Sequence, residues 1–442
     1  MASSDKRDTQ SCERRSTSDE GMARANARQV APSDTPIGSL SNELLIRIFG
    51  YAIPKVSNWI GTRLLAVFTI LASHVCGRWR DLVLQTPSLW TLICFRTWKR
   101  LPLPIVSLYE SRSRDLDLRL HVHLDSFDEL SDAQIQCAQR LASRTSHLYI
   151  SYMHTTPKAL LQQFIGAPRL RWLSCGVFHL HHRNVEHMAD NFPSLQHFEL
   201  RDGCLGCVPH SRKLTSAELP NAPSDGEDLR TVLARCSRLH TLVLPDYTAD
   251  LQSSEDAPWP AIEAESIRWL AVSVYCQRQR LARRRPDSDY HLAALAFRGL
   301  EYLELGCTVS AIILARLIST PLELSTTLHT LHLVETRCDE VMSFMLSMKR
   351  LRCVVLTDAL SLDTWPTEPE AWPSLEKIEI RTFDPEEEDP SHLAEFTMRR
   401  QTLYKSFRTI VDAPQWCRTY PEAFRHCDET FMQPSLLRQR RR

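Results

Sequence analysis

The sequence predicts an α/β protein: three short helices near the N-terminus, then a solenoid of strand-and-helix repeats with a parallel sheet on its concave face. Two observations predict it. Between Pro36 and Trp90 the apolar residues fall at helical spacings. Between Thr145 and Ile380, ten stretches share largely aliphatic first, fourth and sixth positions, and their starts lie 19 to 33 residues apart. A single strand-and-helix unit cannot cover its own apolar face, so neighbours must stack and share one continuous core. A chain of 442 residues that is 43% hydrophobic and 24% charged can supply that core.

Taken in order, residues 1–33 are rich in Ser, Arg, Asp and Ala, and Val30 is their one large aliphatic. They cannot bury enough apolar area to offset the cost of ordering, which predicts a disordered tail. Residues 34–95 form the helical module. Leu40, Leu44, Leu45, Ile48 and Phe49 make the apolar face of its first helix. Ser39 or Ser41 can cap that helix, and Glu43 sits in the first turn, where the helix dipole favours negative charge. A connection from Gly50 to Thr62 carries Pro54, Asn58 and Gly61 as turn residues. A second apolar run, Leu64 to Val75, leads into Cys76, Arg78, Trp79 and Arg80, and the module closes on Pro87-Ser88-Leu89-Trp90.

Residues 96–390 carry the repeats. A first strand is expected at Leu116-Leu118-Leu120. The ten repeat stretches then begin at Thr145, Leu170, Leu195, Leu214, Leu239, Ile267, Leu300, Leu328, Leu351 and Leu375. Helices are expected between them over Pro157–Ile165, Asn184–Asp190, Asp228–Ala234, Val309–Ile318 and Asp339–Leu346. A basic loop, Gln277 to Asp289, and an acidic one, Asp384 to Asp389, break the rhythm. In residues 391–442, Leu393, Phe396, Leu403, Phe407 and Ile410 predict a helix that caps the last repeat, followed by a basic tail, Arg438 to Arg442.

Several matches in the right order give the module a family likeness. Pro36-Ile37, Glu43-Leu44-Leu45, Ile48-Phe49, Val75-Cys76, Trp79-Arg80 and Leu89-Trp90 resemble the F-box, the adaptor-binding module of cullin–RING ubiquitin ligases. The family's usual opening is a Leu-Pro pair, and here Leu40 is followed by Ser41. The repeat series resembles the leucine-rich repeat, whose period is about 20–29 residues. The repeat's ninth position, usually Asn or Cys, holds neither here, so no asparagine ladder forms and an irregular solenoid is expected. Together these resemble fungal-type F-box proteins with irregular leucine-rich repeats, substrate receptors of Skp–cullin–F-box E3 ubiquitin ligases. The resemblance implies that Pro36, Leu40, Leu44, Leu45, Ile48 and Phe49 contact a Skp-type adaptor, and through it a cullin–RING ligase. Val75, Trp79 and Trp90 would be shared between that interface and the module's own packing.

The residues flanking the inward leucines point to the other face of the sheet by the period-two rule. They include Tyr149, Trp172, His197, Arg201, Trp269, Tyr302, His332 and Arg381, with Glu199, Glu304, Lys377 and Glu379 among them. Aromatics mixed with both charge signs suit a protein client better than a sugar or a nucleic acid. A repeat scaffold working outside any ligase is the alternative reading.

Other function classes find little support. Basic and acidic residues balance at 53 each, which argues against a chain built to grip nucleic-acid phosphates. There is no Gly-x-Ser-x-Gly, no Walker or dinucleotide fingerprint and no His-Glu-x-x-His, and only 12 glycines are present, so neither an enzyme nor a cofactor is expected. Cys204-x-x-Cys207 with His210 supplies half a zinc site, and the nearest further ligands are Cys236 and His240, so no metal is expected. The N-terminal residues lack the apolar core of a signal peptide, and no apolar run approaches a membrane span of about 20 residues. The 14 cysteines are therefore expected to be reduced, and the protein to lie in the cytoplasm, the nucleus or both.

Overall fold

The computed structural model describes residues 36–53, 62–96, 103–124, 131–152, 158–175, 192–200, 208–209, 211–219, 226–249, 261–276, 294–306, 325–336, 338–358, 362, 365–381, 389–412 and 414–426. The chain divides into two compact units, Met1–Tyr51 and Ala52–Arg442. The first contains a 3-10 turn, Pro36–Ser39, and helix α1 (Asn42–Ala52) up to Tyr51. Ser41 caps α1: its hydroxyl accepts from the Leu44 N–H at 3.4 Å and its carbonyl from the Leu45 N–H at 3.0 Å. The backbone N–H of Glu43 and the Ser41 hydroxyl both hold the Glu43 carboxyl below the usual carboxylate range.

The second unit opens with α2 (Thr62–Ser73), α3 (Gly77–Gln85) and a 3-10 turn, Pro87–Trp90. Polar side chains tie these pieces together. The Thr69 hydroxyl donates to the Leu89 carbonyl at 3.1 Å, Arg80 Nε to Ser73 at 3.1 Å, and Trp90 Nε1 to Val83 at 2.8 Å. Strand β1 (Leu92–Arg96) follows directly, so the sheet begins inside the stretch assigned to the helical module. Only one polar residue, Thr91, separates Leu92-Ile93-Cys94-Phe95 from Leu89-Trp90, too short a break for spacing alone to mark the boundary.

The strands that follow are β2 (Leu118–Leu124), β3 (Thr145–Tyr152), β4 (Trp172–Cys175), β5 (His197–Leu200), β6 (Ser216–Glu218) and β7 (Thr241–Ala249). Then come β8 (Ala261–Glu263), β9 (Trp269–Cys276), β10 (Ala294–Ala296), β11 (Tyr302–Gly306), β12 (Thr330–Val334), β13 (Cys353–Thr357), β14 (Lys377–Arg381), β15 (Arg408–Asp412) and β16 (Arg425–His426). Fourteen form one sheet in strict chain order, and β8 and β10 pair separately. Every pairing is parallel. All ten strands expected from the repeat are present, and the strand expected at Leu116-Leu118-Leu120 forms as β2 from Leu118 on, with Leu116 exposed before it.

The register explains the repeat. Numbering five positions along a strand, the second forms a row that runs Leu148, Leu173, Phe198, Ala217, Leu242, Leu270, Leu303, Leu331, Val354 and Ile378, and all are buried. The fourth position adds Ile150, Cys175, Leu200, Leu244, Val272, Leu305, Leu333, Leu356 and Ile380, also buried. Successive side chains alternate between faces. The first, third and fifth positions therefore share the other face.

The helices described between strands are α4 (Leu103–Arg112), α5 (Asp132–Ala142), α6 (Lys158–Gln162), α7 (Gly226–Arg235) and α8 (Cys338–Ser347). α5 was not foreseen, although Ser131 and Gln134 form a capping box at its start. The helices expected at Asn184–Asp190 and Val309–Ile318, the basic loop Gln277–Asp289, most of the acidic loop and both tails lie outside the described residues.

One expectation at the C-terminal end is corrected. Helix α9 (Ser391–Leu403) forms, but it ends seven residues before Ile410. Tyr404 is extended, with φ −125° and ψ 95°, and Lys405-Ser406 turns the chain. Arg408–Asp412 then joins β14 as β15, and α10 (Pro414–Thr419) leads to β16. Phe407 and Ile410 fit helical spacing from Leu403, yet Thr409-Ile410-Val411 is a β-branched run that favours a strand. Buried Arg400 anchors α9 by donating to the carbonyls of Leu375, Pro373 and Pro369. Among the described residues no helix is long and apolar enough to cross a membrane.

Candidate interaction surfaces

In the first unit, the residues expected to meet an adaptor divide into two stripes. Leu45 and Phe49, four apart, are buried. Leu44 and Ile48, also four apart, are exposed by 47% and 43%, and Tyr51 continues their stripe. Ile37 in the preceding turn is exposed too, and Leu40 is half-buried. Pro36 opens that turn. Amphipathic spacing groups Leu40, Leu44, Leu45, Ile48 and Phe49 on one face. The structure makes two stripes of them, one buried and one exposed.

In the second unit, Val75 is 61% exposed, Leu71 is exposed and Trp79 is half-buried. Trp90 is 1% exposed; its indole bonds Val83 and its ring meets Tyr109 edge-on at 5.0 Å. Of the two roles expected for Trp90, packing is the one it performs, and a share in an interface is withdrawn.

The face opposite the leucines has two different halves. Over β3 to β5 the first-position residues are His147, Trp172 and His197, in register. Their rings stack: His147 on Trp172 at 6.1 Å and 19°, Trp172 on His197 at 4.7 Å and 27°. Tyr149 lies 6.5 Å from His147 and 6.4 Å from Trp172. All four side chains are half-buried. Burial lowers the pKa of both imidazoles, with Arg119 a further cause at His147, so both are neutral near pH 7. Burial and then Glu199 push the Tyr149 phenol up to about 12. The Trp172 Nε1–H is buried with no hydrogen-bond acceptor. In the third row, half-buried Glu199 is in register with half-buried Glu218. His147 was not singled out from the sequence. It stands two residues after Thr145, as Trp172 does after Leu170, and aligning the repeats would have found it.

Toward β11–β14 the same face is closed. Tyr302 is 2% exposed and His332 0%, so the expectation that both present themselves to a client is corrected. The pleat places them on the expected face, but that face is buried along all of β11. They form a polar chain instead. The Tyr302 hydroxyl donates to Glu304 Oε2 at 2.8 Å and lies 3.0 Å from His332 Nδ1, and His332 Nε2 lies 2.9 Å from the Thr357 hydroxyl. With the tyrosine proton given to Glu304, its oxygen accepts from Nδ1–H, which leaves Nε2 to accept from Thr357. Buried Glu379 meets Lys377 and, at 2.9 Å, Arg381, whose side chain is largely covered. Burial, then Glu379, pushes the nearby Cys353 thiol up to about 12. Trp269 remains exposed at the boundary and stacks on Tyr302 at 5.0 Å.

No family model matches the chain, and no curated protein does.

Arg201 lies outside the described residues, as do Cys204, Cys207 and His210. Among the described residues no group of three or more His, Cys, Asp or Glu is placed to hold a metal ion. Cys236 is buried, which pushes its thiol up to about 11. These surfaces present an apolar helical stripe, a stacked ring cluster and the in-register carboxylates Glu199 and Glu218.

Proposed function

We propose that the chain is the substrate-recognition subunit of a Skp–cullin–F-box E3 ubiquitin ligase. In this reading, residues 34–95 are an F-box that docks on a Skp-type adaptor, and the strands form an irregular leucine-rich-repeat solenoid that holds a protein client. The observation that carries it is the exposed Leu44–Ile48 stripe on a capped helix whose Leu45 and Phe49 are already buried. Fully burying each aliphatic side chain contributes about 1.5–3 kcal/mol, so a few such residues can hold an adaptor without any catalytic group. The strand series after it, with half-buried first-position side chains over β3–β6, supports a client-binding half. Ubiquitin transfer would then be accelerated by raised effective concentration at the client. The chain would work in the cytoplasm or nucleus.

The test is co-purification. The intact chain is expected to retain the adaptor, and Leu44→Asp with Ile48→Asp to reduce retention at least tenfold without lowering thermal stability, because both side chains are exposed. Unchanged retention in the double variant would sink the ligase reading and leave a repeat scaffold acting outside any ligase.

A further inference from the structure

At the end of the sheet where its strands begin, the same turn precedes one strand after another. The Leu170 N–H donates to the Ala167 carbonyl, Leu195 to Phe192, Leu214 to Ser211 and Leu239 to Cys236, at 3.4, 3.2, 3.0 and 2.9 Å. The ladder runs on through these turns: the Gln196 N–H bonds the Arg171 carbonyl, Thr215 that of Gln196, and His240 that of Thr215. The turns before β4, β5, β6 and β7 therefore lie side by side, about 4.8 Å apart. They hold Arg169, Arg171, Arg212, Lys213 and Arg238, all exposed, and no aspartate or glutamate. In a chain whose charges balance at 53 each, that segregation is a matter of placement.

Elsewhere along the same end, cations are answered from within the chain. Arg298, before β11, meets Glu265 at 2.9 Å, and Arg352, before β13, reaches Glu376 at 3.9 Å. In the strip itself Arg169 pairs with Asp117 at 3.0 Å. Arg171, Arg212, Lys213 and Arg238 make no ion pair among the described residues. Such a strip attracts anions, and what it selects depends on its length. Four turns at that spacing span about 14 Å, the reach of four or five extended residues at ~3.4 Å each. Carboxylates stand at both ends, Asp117 before β2 and Glu265 before β9. A short run of acidic side chains fits between them. A nucleic-acid backbone continuing along the strand starts would leave the cations and meet the carboxylates.

We propose that the turns before β4–β7 dock a short acidic segment of a client protein, its carboxylates against Arg171, Arg212, Lys213 and Arg238. This deepens the client-binding part of the reading above and is independent of the ligase assignment. The probe is a pair of fluorescent Gly-Ser-based nonapeptides, one with four central glutamates and one with four glutamines in their place. At low salt the intact chain is expected to bind the glutamate peptide at least tenfold better, and the preference should shrink as salt screens the charges. Arg212→Gln with Lys213→Gln should cut it at least fivefold. The control is Lys349→Gln with Arg350→Gln, in the turn before β13, whose neighbouring turns before β12 and β14 carry no lysine or arginine. That variant removes the same charge from the same end of the sheet and should change the preference less than about twofold. Both pairs are exposed, and matching melting temperatures would verify the folds. Equal binding of the two peptides, or equal loss from the two double variants, would overturn the proposal. Tighter binding of a decathymidine oligonucleotide than of the glutamate peptide would overturn it too, by making the strip a nucleic-acid site. Adaptor retention measured on the same samples separates the two readings. Retained adaptor without peptide discrimination removes only the docking site; peptide discrimination without adaptor removes only the ligase.

Discussion

The two halves of one sheet face share a register and almost nothing else. Over β3–β5 the first row and Tyr149 of the third carry half-buried rings; over β11–β14 the same face carries a buried chain of Tyr302, Glu304, His332 and Thr357 and an ion triad centred on buried Glu379. The leucine rows beneath are the same throughout. A repeat thus fixes where a side chain points and leaves its surroundings to be decided unit by unit. One half has its polar groups committed to each other and behaves as core. The other keeps its rings half-buried and its Trp172 N–H without an acceptor.

The sharpest break in that comparison is His332→Ala. It leaves the buried Tyr302 and Thr357 hydroxyls each with a partner gone, and should cost about 2–5 kcal/mol in urea unfolding, at about 1–3 kcal/mol for each orphaned buried group. A loss under about 1 kcal/mol would mean the two halves are energetically alike. Trp172→Ala on the open half should cost about 1–2 kcal/mol, well short of the ~3–5 kcal/mol of a fully buried tryptophan. The smallest effect is on pH dependence. His147 and His197 have folded pKa values below their ordinary value of about 6.5, so the unfolded chain binds more protons below that pH. Their neutral forms favour the folded state above about pH 6.5, and that contribution is lost as pH falls through the folded values. Arg119, Arg171 and Asp117 also face His147, with Arg119 and Arg171 lowering and Asp117 raising its pKa. The variant His147→Gln with His197→Gln should flatten the stability slope between pH 7 and 5; an unaltered slope would place the titration elsewhere.

The strands were the most legible part of the fold. Each needs only two aliphatics at fixed offsets, and all ten predicted stretches pair where the offsets put them. β1 and β15 were missed because local pattern is ambiguous at element junctions: Leu92 runs on from a helical module, and Phe407 and Ile410 sit at spacings a helix also uses. The candidate surfaces were legible in direction and illegible in exposure. Period two put Tyr149, Trp172, Tyr302 and His332 on one face, but burial of Tyr302 and His332 depends on distant parts of the chain, which no window of sequence contains. In the same way, spacing grouped Leu44 with Leu45, and only packing shows which of the two is spent.

The strict chain order of the fourteen-stranded sheet bears on how the protein is made. Each strand's partner is the one most recently synthesised, with β8 and β10 set aside in their own pair. Parallel sheets are ordinarily slow to assemble, because strands distant in sequence must find each other. Here a strand leaving the ribosome meets its template already laid down a few turns of chain earlier. Synthesis and folding can therefore advance together, one strand at a time, from β1 toward β16.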